Sequence, residues 1–408
     1  MARKERLPVE IFNLPVNEVR CGYRAAVYFW RSKRILEQDG HHPHITHQLF
    51  QKKDHVTLCG ADEAIAILKV GTGYFKDYDQ AMALFEQELQ LKRAANRALV
   101  DGDGAAYAGL VAERTDVTRK LDDLWVSKFN EIEVSALFDG DRLSAWETVM
   151  LIEGDYSLFA HLESLYLGVL ARRTKVASNC RAVVEAANGK PVLFFTDRFD
   201  HYATQEGDGY AAHIAGVTAV ASNAMGAWYG EQGIGTIPHA MIVSYGGDSV
   251  KAAEKFRQYF PQVNTISLVD FDNDCVNTSL AAARRLGEKL WGVRLDTAEN
   301  LIDRSLEKVE GYHDEEKMGV APLLVEKVRE ALDREGFHHV KIIVSGGFNP
   351  DRIRRFEQLG VPVDIYAVGS WMLTGQYDFT ADAVRLNGKH LAKVGREYKP
   401  NPRLEPVK

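Results

Sequence analysis

Cysteine is scarce in this chain, with four residues in 408. They stand at Cys21, Cys59, Cys180 and Cys275. The long sequence intervals between these four cysteines match neither the paired spacing of a zinc knuckle nor the dense framework of a disulfide-stabilised domain. We therefore predict reduced thiols in or near the core.

Long hydrophobic runs and an excess of basic charge are also missing. No apolar stretch approaches the roughly 18 residues of a membrane span, and the opening MARKERLPVE has basic residues without an apolar segment behind them. Lys and Arg number 50 against 57 Asp and Glu, a formal net charge of -7, so the broad basic surface of a nucleic-acid-binding protein is missing. We expect a cytoplasmic protein that binds neither membrane nor nucleic acid and holds any anionic ligand at a local site.

The chain does have enough apolar residues, 46%, to bury the core of two domains or of a barrel with an added domain. Residues 1–155 mix an amphipathic segment with a short alternating run, which is typical of an α+β domain. Within them, residues 80–129 have a helical pattern in which Leu121, Trp125 and Phe129 recur every four residues, and a turn at 101–104 divides it. This pattern predicts an inserted helical hairpin.

From 156 to 378 short β-branched runs alternate with helical stretches, which predicts βα units around a parallel sheet. The simplest architecture that accommodates these repeated βα units is a closed or nearly closed α/β barrel. The candidate strands are 192–195, 240–243, 265–269, 291–295, 341–344 and 365–368.

Polar residues follow these strands directly, at the end where an α/β barrel has its active site. Two of the following turns contain glycine: Ser345, Gly346 and Gly347 after one strand, and Gly369 and Ser370 after the next. Such turns can point backbone N–H groups at an anion, and the following helix adds its positive N-terminus. Together they predict a phosphate cradle; the alternative is that each is only a tight turn between strand and helix.

Carboxylates also follow the strands, Asp270 and Asp272 after one and Asp296 after the next. They could bind Mg²⁺ or ribose hydroxyls, since magnesium prefers oxygen ligands and also contacts substrate phosphates. The alternative is that each carboxylate only caps a helix. Asp270 and Asp272 would share a face if their strand continued, and Arg294 and Asp296 should share one on theirs.

Histidines form two candidate sites. His239 lies in GTIPHAM, directly before the predicted strand 240–243, which is not the position of an ordinary core histidine. The string HHPHITH contains His41, His42, His44 and His47. A metal site there is the less favoured interpretation, because no cysteine or carboxylate stands at ligand spacing.

An ordered set of motifs along nearly the whole chain resembles the nicotinate phosphoribosyltransferases, and more broadly the type II phosphoribosyltransferases, which include the nicotinamide and quinolinate enzymes. The motifs are VRCGYRAAVYFWRSKRIL at 19–36, FFTDRFDH at 194–201, GTIPHAM at 235–241, SLVDFDND at 267–274, WGVRLDT at 291–297, IIVSGGFN at 342–349 and YAVGSW at 366–371. The fold implied is an irregular α/β barrel over 156–378, with an N-terminal α+β, sandwich-like domain at 1–155 on which the C-terminal segment 379–408 packs.

The resemblance implies transfer of a phosphoribosyl group from 5-phosphoribosyl 1-pyrophosphate (PRPP) to nicotinate, driven by ATP hydrolysis through a phosphohistidine, with Mg²⁺ as cofactor and nicotinate mononucleotide as a precursor of NAD. By the same resemblance, His239 is the phosphorylated residue, Arg198 contacts the base and phosphate, and Phe195 stacks on the pyridine ring. Asp270, Arg294 and Asp296 match the positions that face ribose, magnesium and pyrophosphate. The glycine turns match the phosphate cradle.

Two further residues enter through the resemblance. Tyr28 matches a second stacking aromatic that is given across a homodimer interface; the alternative is that Tyr28 packs in the N-terminal core beside Phe29 and Trp30. Ser222 occupies a segment where the nicotinamide enzymes carry an aspartate, so its hydroxyl is expected to favour the nicotinate carboxylate. The alternative is that Ser222 is only a small residue on a packed helix.

The sequence departs from the family pattern near the site. Ala25 and Ala26 replace a usual Thr-Asp pair, Thr196 replaces a frequent glycine, and Phe199 replaces the second of two arginines. These departures leave open a paralogue with altered activity. The rival functions are therefore nicotinamide transfer and a non-catalytic barrel that binds a phosphorylated metabolite.

Overall fold

The computed structural model of the protein describes residues 5–407. The strands along this part of the chain are β1 (His44–Gln51), β2 (Val56–Thr57), β3 (Gly73–Phe75), β4 (Trp125–Ser127), β5 (Glu133–Ala136), β6 (Arg142–Leu143), β7 (Thr148–Asp155), β8 (Val192–Phe194), β9 (Ala219–Val220), β10 (Thr265–Leu268), β11 (Leu290–Leu295), β12 (Lys341–Val344), β13 (Ile365–Val368), β14 (Phe379–Leu386), β15 (Lys389–His390) and β16 (Glu405–Pro406). The α-helices are α1 (Val16–Arg20), α2 (Val27–Gln38), α3 (Ala61–Gly71), α4 (Tyr78–Val100), α5 (Gly104–Leu124), α6 (Glu163–Ala186), α7 (Gln205–Ile214), α8 (Asn223–Gly226), α9 (His239–Ser244), α10 (Ser249–Tyr259), α11 (Cys275–Leu286), α12 (Asp314–Lys317), α13 (Pro322–Arg334) and α14 (Pro350–Gln358).

The chain divides into two compact units. The first contains the residues up to Thr174 together with those from Gln376 onwards, and the second is Lys175–Gly375. The first division falls inside helix α6, which therefore contributes residues to both units.

An antiparallel sheet with the strand order β15-β14-β1-β7-β5-β16 forms the frame of the first unit. Helix α3 and the start of α6 contribute to the same buried apolar cluster as strands β1 and β7, through residues such as Leu68, Tyr166, Leu49 and Met150. The sheet takes β14, β15 and β16 from the C-terminal segment, so the N-terminal α+β fold is completed by the end of the chain. This part of the predicted fold is confirmed.

The predicted helical hairpin is present as α4 and α5, joined at Asp101–Asp103. An aspartate caps the start of each helix: the Asp77 side chain accepts a hydrogen bond from the backbone N–H of Gln80 in α4, and the Asp103 side chain accepts one from that of Ala106 in α5. The extension of the helical pattern to 129 was wrong, because α5 ends at Leu124 and Trp125 begins strand β4. Trp125 is buried there and packs against the ring of Phe75 on the neighbouring strand. The apolar residue at this position is therefore part of a buried strand and not of a helix.

A parallel sheet with the order β10-β11-β12-β13-β8-β9 forms the second unit. The sheet curls into a half-barrel, and its edge strands β9 and β10 do not pair with each other. The predicted α/β fold class is therefore confirmed, but the barrel is open. Five of the six predicted strands exist, within a residue at each end. Strand β9 was not predicted from the sequence, because it has only two residues.

The predicted strand at 240–243 was wrong, since these residues belong to helix α9. A run of four apolar residues fits a strand and a helix equally well. Within α9 only Ile242 is buried, while Val243 is 61% exposed. The four residues are therefore not all enclosed, as those of a central strand of the sheet would be. His239 is therefore the first residue of a helix, following Pro238.

All four cysteines are buried free thiols, as predicted. Burial raises the pKa of Cys21 to about 12, with smaller effects of Glu88 and Arg20. Within residues 5–407 no helix combines the length and the apolar character needed to cross a bilayer.

Candidate active site

A cavity of about 570 Å³ opens at the carboxyl ends of strands β8, β11, β12 and β13. Most of the residues that the sequence proposed for the site line it, and all of them belong to the second unit. They are Phe195, Arg198, His239, Arg294, Asp296, Ser345, Gly346, Gly347, Gly369 and Ser370.

The first glycine turn follows β12 and leads into α14. Gly346 has a φ of 85° and Gly347 a φ of 66°, values that favour glycine. Asn349 caps α14 by accepting a hydrogen bond from the backbone N–H of Arg352 at 2.9 Å, and Pro350 is the first helical residue. The turn therefore presents backbone donors and a helix N-terminus beside the cavity, which is the arrangement that binds a phosphate.

The second glycine turn follows β13. A side chain on Gly369 would place its Cβ 2.5 Å from the Phe199 ring and 2.8 Å from the Phe195 carbonyl oxygen. Glycine is therefore required here by a close approach, and Phe199 forms part of the cavity wall next to this turn. The Arg198 guanidinium carbon lies 5.3 Å from the centre of the Phe199 ring, within the range of a cation–π contact.

His239 and Asp270 are hydrogen-bonded, with 2.9 Å between Nε2 and Oδ2. Burial raises the pKa of the Asp270 carboxyl, and the charge and hydrogen bond of His239 oppose that rise. The prediction that Asp270 and Asp272 share a strand face was wrong, because β10 ends at Leu268 and the two aspartates lie in a turn. The cap of α11 is a third carboxylate, Asp274.

Arg294 and Asp296 both face the cavity, as their spacing on one strand predicted. Asp296 Oδ1 accepts a hydrogen bond from the Ser345 hydroxyl at 2.7 Å, and Arg294 Nη2 lies 3.8 Å from Asp296 Oδ2. Burial lowers the pKa of Arg294, the carboxylates of Asp296 and Asp270 oppose this, and the positive charge of Arg198 adds to the lowering. Two arginines therefore act on the same space, which suits an anionic ligand.

The carboxylates near the cavity are candidate magnesium ligands. Among residues 5–407 no group of three or more His, Cys, Asp and Glu side chains converges as a metal site. Mg²⁺ needs only one or two protein carboxylates where substrate phosphates complete its shell. Asp270 Oδ1 is buried without a hydrogen-bond partner in the described chain, and Asp296 is close enough to raise the pKa of Asp270. These two residues fit such a site.

Ser222 does not line the cavity, although its neighbour Ala221 does. The Ser222 hydroxyl donates to Gln205 Oε1 at 2.9 Å and caps α8 by accepting from the Met225 N–H. Gln205 Nε2 in turn donates to the Asp197 carbonyl oxygen at 3.2 Å. Ser222 therefore contacts the turn before Arg198 through Gln205, and its expected direct contact with a substrate carboxylate stays a prediction.

Tyr28 lies on α2 in the first unit, with 64% of its surface exposed. The alternative in which Tyr28 packs in the N-terminal core is therefore wrong; its contribution to a partner's site stays a prediction. In the histidine string, His42 Nδ1 is 2.8 Å from Asp155 Oδ2 and His47 is buried beside Tyr156. These two histidines have separate partners in the first unit.

The sequence analysis named the GTIPHAM motif but assigned a role only to His239, whereas the preceding segment 234–238 also lines the cavity. It contains Gly235 and Thr236 and leads directly to His239. Its residues form no helix or strand, and a glycine-containing loop before a candidate catalytic histidine was the available signal.

Comparisons with known proteins support one family. Residues 176–378 match the sequence profile of the quinolinate phosphoribosyl transferase C-terminal domain. The nicotinate phosphoribosyltransferase pncB1 of Mycobacterium tuberculosis is 28% identical over 257 residues, which are 62% of this chain and 52% of the relative. The chain therefore spans about half the length of this curated relative.

Solved structures share the fold over most of the chain. The nicotinate-nucleotide pyrophosphorylase from Pyrococcus furiosus superposes with a TM-score of 0.69 and 26% identity, covering 96% of this chain and 84% of that one. The human nicotinic acid phosphoribosyltransferase superposes with a TM-score of 0.59 at 14% identity, covering 92% of this chain and 77% of that one, and supports the fold alone. Residues 176–378 therefore resemble the quinolinate phosphoribosyl transferase C-terminal domain, and the relatives and solved structures support a type II phosphoribosyltransferase, the group of the nicotinate and quinolinate enzymes.

Proposed function

We propose that the protein transfers the phosphoribosyl group of PRPP to nicotinate, giving nicotinate mononucleotide and pyrophosphate for NAD biosynthesis. The observation that carries this proposal is a single cavity that joins two glycine turns, two arginines and an aspartate at the ends of adjacent strands. Relatives named as nicotinate phosphoribosyltransferases support the same choice of base.

In the proposed reaction the bond from ribose C1 to pyrophosphate breaks and a bond from C1 to the pyridine nitrogen forms. Arg294 would stabilise the negative charge that develops on the departing pyrophosphate, because a donor fixed in advance costs no reorganisation. The partly buried ring of Phe195 would hold the pyridine in line with C1, and Arg198 would pair with the nicotinate carboxylate. The backbone donors of the two glycine turns would bind phosphate oxygens.

Mg²⁺ belongs to this proposal as a cofactor held by Asp270 and Asp296. When bound, it would neutralise phosphate charge and help the pyrophosphate to leave. The residues present contribute the buried, unpartnered Asp270 Oδ1 and the Asp296 carboxylate oriented by Ser345.

ATP coupling through His239 completes the proposal. The hydrogen bond from Nε2 to Asp270 leaves the lone pair of a neutral imidazole on Nδ1. That nitrogen would attack the γ-phosphorus of ATP, forming the N–P bond while the bond to ADP breaks. Water would then cleave the phosphoramidate to release phosphate and the free imidazole, so the cycle balances as ATP hydrolysis.

We further propose a homodimer in which Tyr28 reaches the partner's site. The exposed position of Tyr28 is compatible with this role. Among residues 5–407, the Tyr28 ring contacts the ring of its neighbour Phe29, with 4.3 Å between centroids.

One assay tests the function directly. Mononucleotide formation from PRPP is measured with nicotinate, nicotinamide and quinolinate in turn, with and without ATP and Mg²⁺. We expect product with nicotinate, stimulation by ATP and a requirement for Mg²⁺. Product with nicotinamide instead would change the base and keep the reaction class.

A non-catalytic paralogue is the second candidate function, and Phe199 is the observation that favours it. Where the family pattern has an arginine, this chain puts a ring against Gly369 in the cavity wall, so one positive charge is missing beside the proposed cradle. Binding of ribose 5-phosphate without turnover of any pyridine would favour this function.

A further inference from the structure

Arg352 on helix α14 contacts the first glycine turn from outside the cavity. Its Nη1 donates to the Gly346 carbonyl oxygen at 2.8 Å and its Nη2 to the Val320 carbonyl oxygen at 2.9 Å. The guanidinium carbon also lies 4.3 Å from the centre of the Phe348 ring. Both terminal nitrogens are thus occupied by backbone oxygens, and Arg352 is not among the residues that line the cavity.

The hydrogen bond to the Gly346 carbonyl also fixes the direction of the next N–H group, that of Gly347. The described chain has no cis peptide bond, and in a planar trans peptide the C=O and the following N–H point in opposite directions. Holding the Gly346 oxygen towards the Arg352 guanidinium therefore directs the Gly347 N–H away from that guanidinium. Gly347 itself lines the cavity, so this orientation makes its N–H available to an anion there.

Such a peptide needs an external hold. Gly346 and Gly347 are both at positive φ, and glycine samples many backbone conformations at little cost. The Gly346–Gly347 peptide could therefore rotate in a free loop and turn its carbonyl dipole towards the ligand. Arg352 opposes that rotation with a charged donor, and charge-assisted hydrogen bonds are about twice as strong as neutral ones.

The second bond connects this turn to the segment after β11. Val320 follows Gly319, whose N–H donates to the Leu301 oxygen at 2.8 Å. Strand β11 leads into Asp296, and β12 leads into Ser345. One guanidinium therefore holds together the two loops whose first residues, Asp296 and Ser345, are already hydrogen-bonded.

We propose that Arg352 is a positioning residue that locks the Gly346–Gly347 peptide in the orientation that binds a phosphate ester. The inference rests on the proposed function, because it requires that the turn bind a phosphate of the substrate. Arg352 acts through the peptide and does not contact the phosphate.

The space around Arg352 is consistent with this role. A Cβ on Gly347 would lie 3.3 Å from Arg352 Nη1, so the guanidinium and the glycine backbone fit closely. Burial lowers the pKa of Arg352, and the negative charge of Glu299 opposes the lowering. A lysine keeps the charge but lacks the planar fork of arginine, so it would hold the two carbonyl oxygens less specifically.

The test compares three variants by calorimetric titration with ribose 5-phosphate. Arg352→Met keeps an apolar stem but removes both donors, and Arg352→Lys keeps the charge. Arg354→Met is the matched control, since Arg354 lies on the same helix and pairs at the surface with Asp351. We expect at least tenfold weaker binding for Arg352→Met, about threefold for Arg352→Lys, and a change within twofold for Arg354→Met.

Steady-state kinetics give a second measurement that general loss of structure would not reproduce. We expect the KM for PRPP to rise in both Arg352 variants while the KM for the pyridine stays within twofold of the wild type. Should Arg352→Met fail to fold, Arg352→Lys decides the question. Wild-type affinity for ribose 5-phosphate in Arg352→Lys and Arg352→Met, or a rise in both KM values alike, would overturn the inference. A wild type that does not bind ribose 5-phosphate would instead refute the phosphate cradle of the proposed function, and the inference with it.

Discussion

His239 Nε2 lies 2.9 Å from Asp270 Oδ2, and the pair joins a half-exposed ring to an enclosed carboxylate: the side chains are 43% and 7% exposed. Helix α9, which His239 begins, packs through Ile242 into an apolar cluster that also contains Phe271, the neighbour of Asp270. The sequence therefore places both partners on backbone that is anchored in the same core. This arrangement fixes the ring through Nε2 while much of the His239 side chain stays exposed.

The pair predicts how phosphorylation should respond to substitution. Incubation with γ-labelled ATP should give acid-labile label in the wild type and none in His239→Ala, because the imidazole is the proposed acceptor. Asp270→Asn should slow labelling about 10- to 100-fold, since an amide no longer selects the tautomer with a free lone pair on Nδ1. Phosphate release after acid treatment measures the label.

His338 provides the matched control, because His338 Nδ1 lies 2.9 Å from Asp333 Oδ1 in a similar histidine–carboxylate pair outside the cavity lining. Labelling of His338→Ala should equal that of the wild type. Acid-labile label that persists in His239→Ala would contradict the assignment.

Asp296 predicts the response to magnesium. Removing Mg²⁺ with EDTA should abolish tight PRPP binding in the wild type, and Asp296→Asn should raise the Mg²⁺ concentration at half-maximal activity at least tenfold. The amide keeps the shape and the Ser345 contact but loses the anionic ligand. Activity measured over a magnesium titration checks this.

Asp272→Asn is the control for Asp296, because Asp272 is an exposed carboxylate in the turn next to Asp270 and does not line the cavity. Its magnesium curve should superimpose on that of the wild type. Equal magnesium dependence in Asp296→Asn and the wild type would exclude Asp296 as a ligand.

The sequence predicted those features that depend on local pattern. Strands β8 and β10 to β13 are short β-branched runs that end in polar residues, and this pattern located the cavity and most of its lining. It failed at 240–243, where four apolar residues did not distinguish strand from helix. It also failed at Asp272, because nothing local showed that the strand stops before the aspartates.

Contacts between distant residues were beyond the sequence. Ser222 was expected to meet the substrate, but its hydroxyl meets Gln205, 17 positions away. Arg352 went unnoticed because its partner Val320 stands 32 positions earlier. Such pairs are set by how loops meet at the end of the sheet, which neither periodicity nor spacing records.

Base selectivity provides the third prediction. Arg198 lines the cavity, and a charge-assisted hydrogen bond of roughly 1.5–3 kcal/mol corresponds to about 10- to 100-fold in rate. Arg198→Gln should therefore lower the preference for nicotinate over nicotinamide, measured as the ratio of their kcat/KM values, by about that factor.

Substitutions of Ser222 distinguish a direct contact with the substrate from an indirect effect through Gln205. Ser222→Ala loses a helix cap and the bond to Gln205, so both pyridines should lose activity to a similar extent. Ser222→Asp, which puts a negative charge near the turn, should reduce the preference for nicotinate. A selective loss of nicotinate activity in Ser222→Ala would restore the direct contact that the sequence suggested.

A shared site predicts complementation between two inactive proteins. Tyr28→Ala and His239→Ala should each lack activity, and mixing them under subunit exchange should recover part of it, because one of the two heterodimer sites would contain both wild-type residues. Native mass spectrometry should verify that heterodimers form. No recovery in verified heterodimers would exclude a role of Tyr28 in the partner's site.

The last prediction concerns the stability of the first unit. The half-buried Glu163 lies beside the buried His47, with 4.0 Å between Glu163 Oε2 and His47 Nδ1. Burial, with a smaller effect of the Asp382 charge, raises the pKa of Glu163 from 4.5 to about 7. Burial lowers the pKa of His47 from 6.5 to about 4.

These shifts act on stability in opposite directions. The folded chain holds the Glu163 proton more tightly than the unfolded chain, so its contribution to the free energy of unfolding falls as pH rises from about 4.5 to 7. The unfolded chain holds the His47 proton more tightly, so that contribution grows as pH rises from about 4 to 6.5. Between about pH 4.5 and 6.5 the contributions of these two residues to the free energy of unfolding therefore partly cancel.

Glu163→Gln should remove one side of this balance. Position 163 cannot ionise in the variant, so between pH 4 and 6.5 the variant keeps the rising His47 contribution without the falling Glu163 contribution. Above pH 7 the variant should be more stable than the wild type by up to roughly 3 kcal/mol. Urea unfolding followed by tryptophan fluorescence from pH 4 to 8 measures both effects. Glu133→Gln, at an exposed position of β5, is the control and should follow the wild-type profile. A Glu163→Gln profile parallel to that of the wild type would show that Glu163 ionises alike in the folded and unfolded chain.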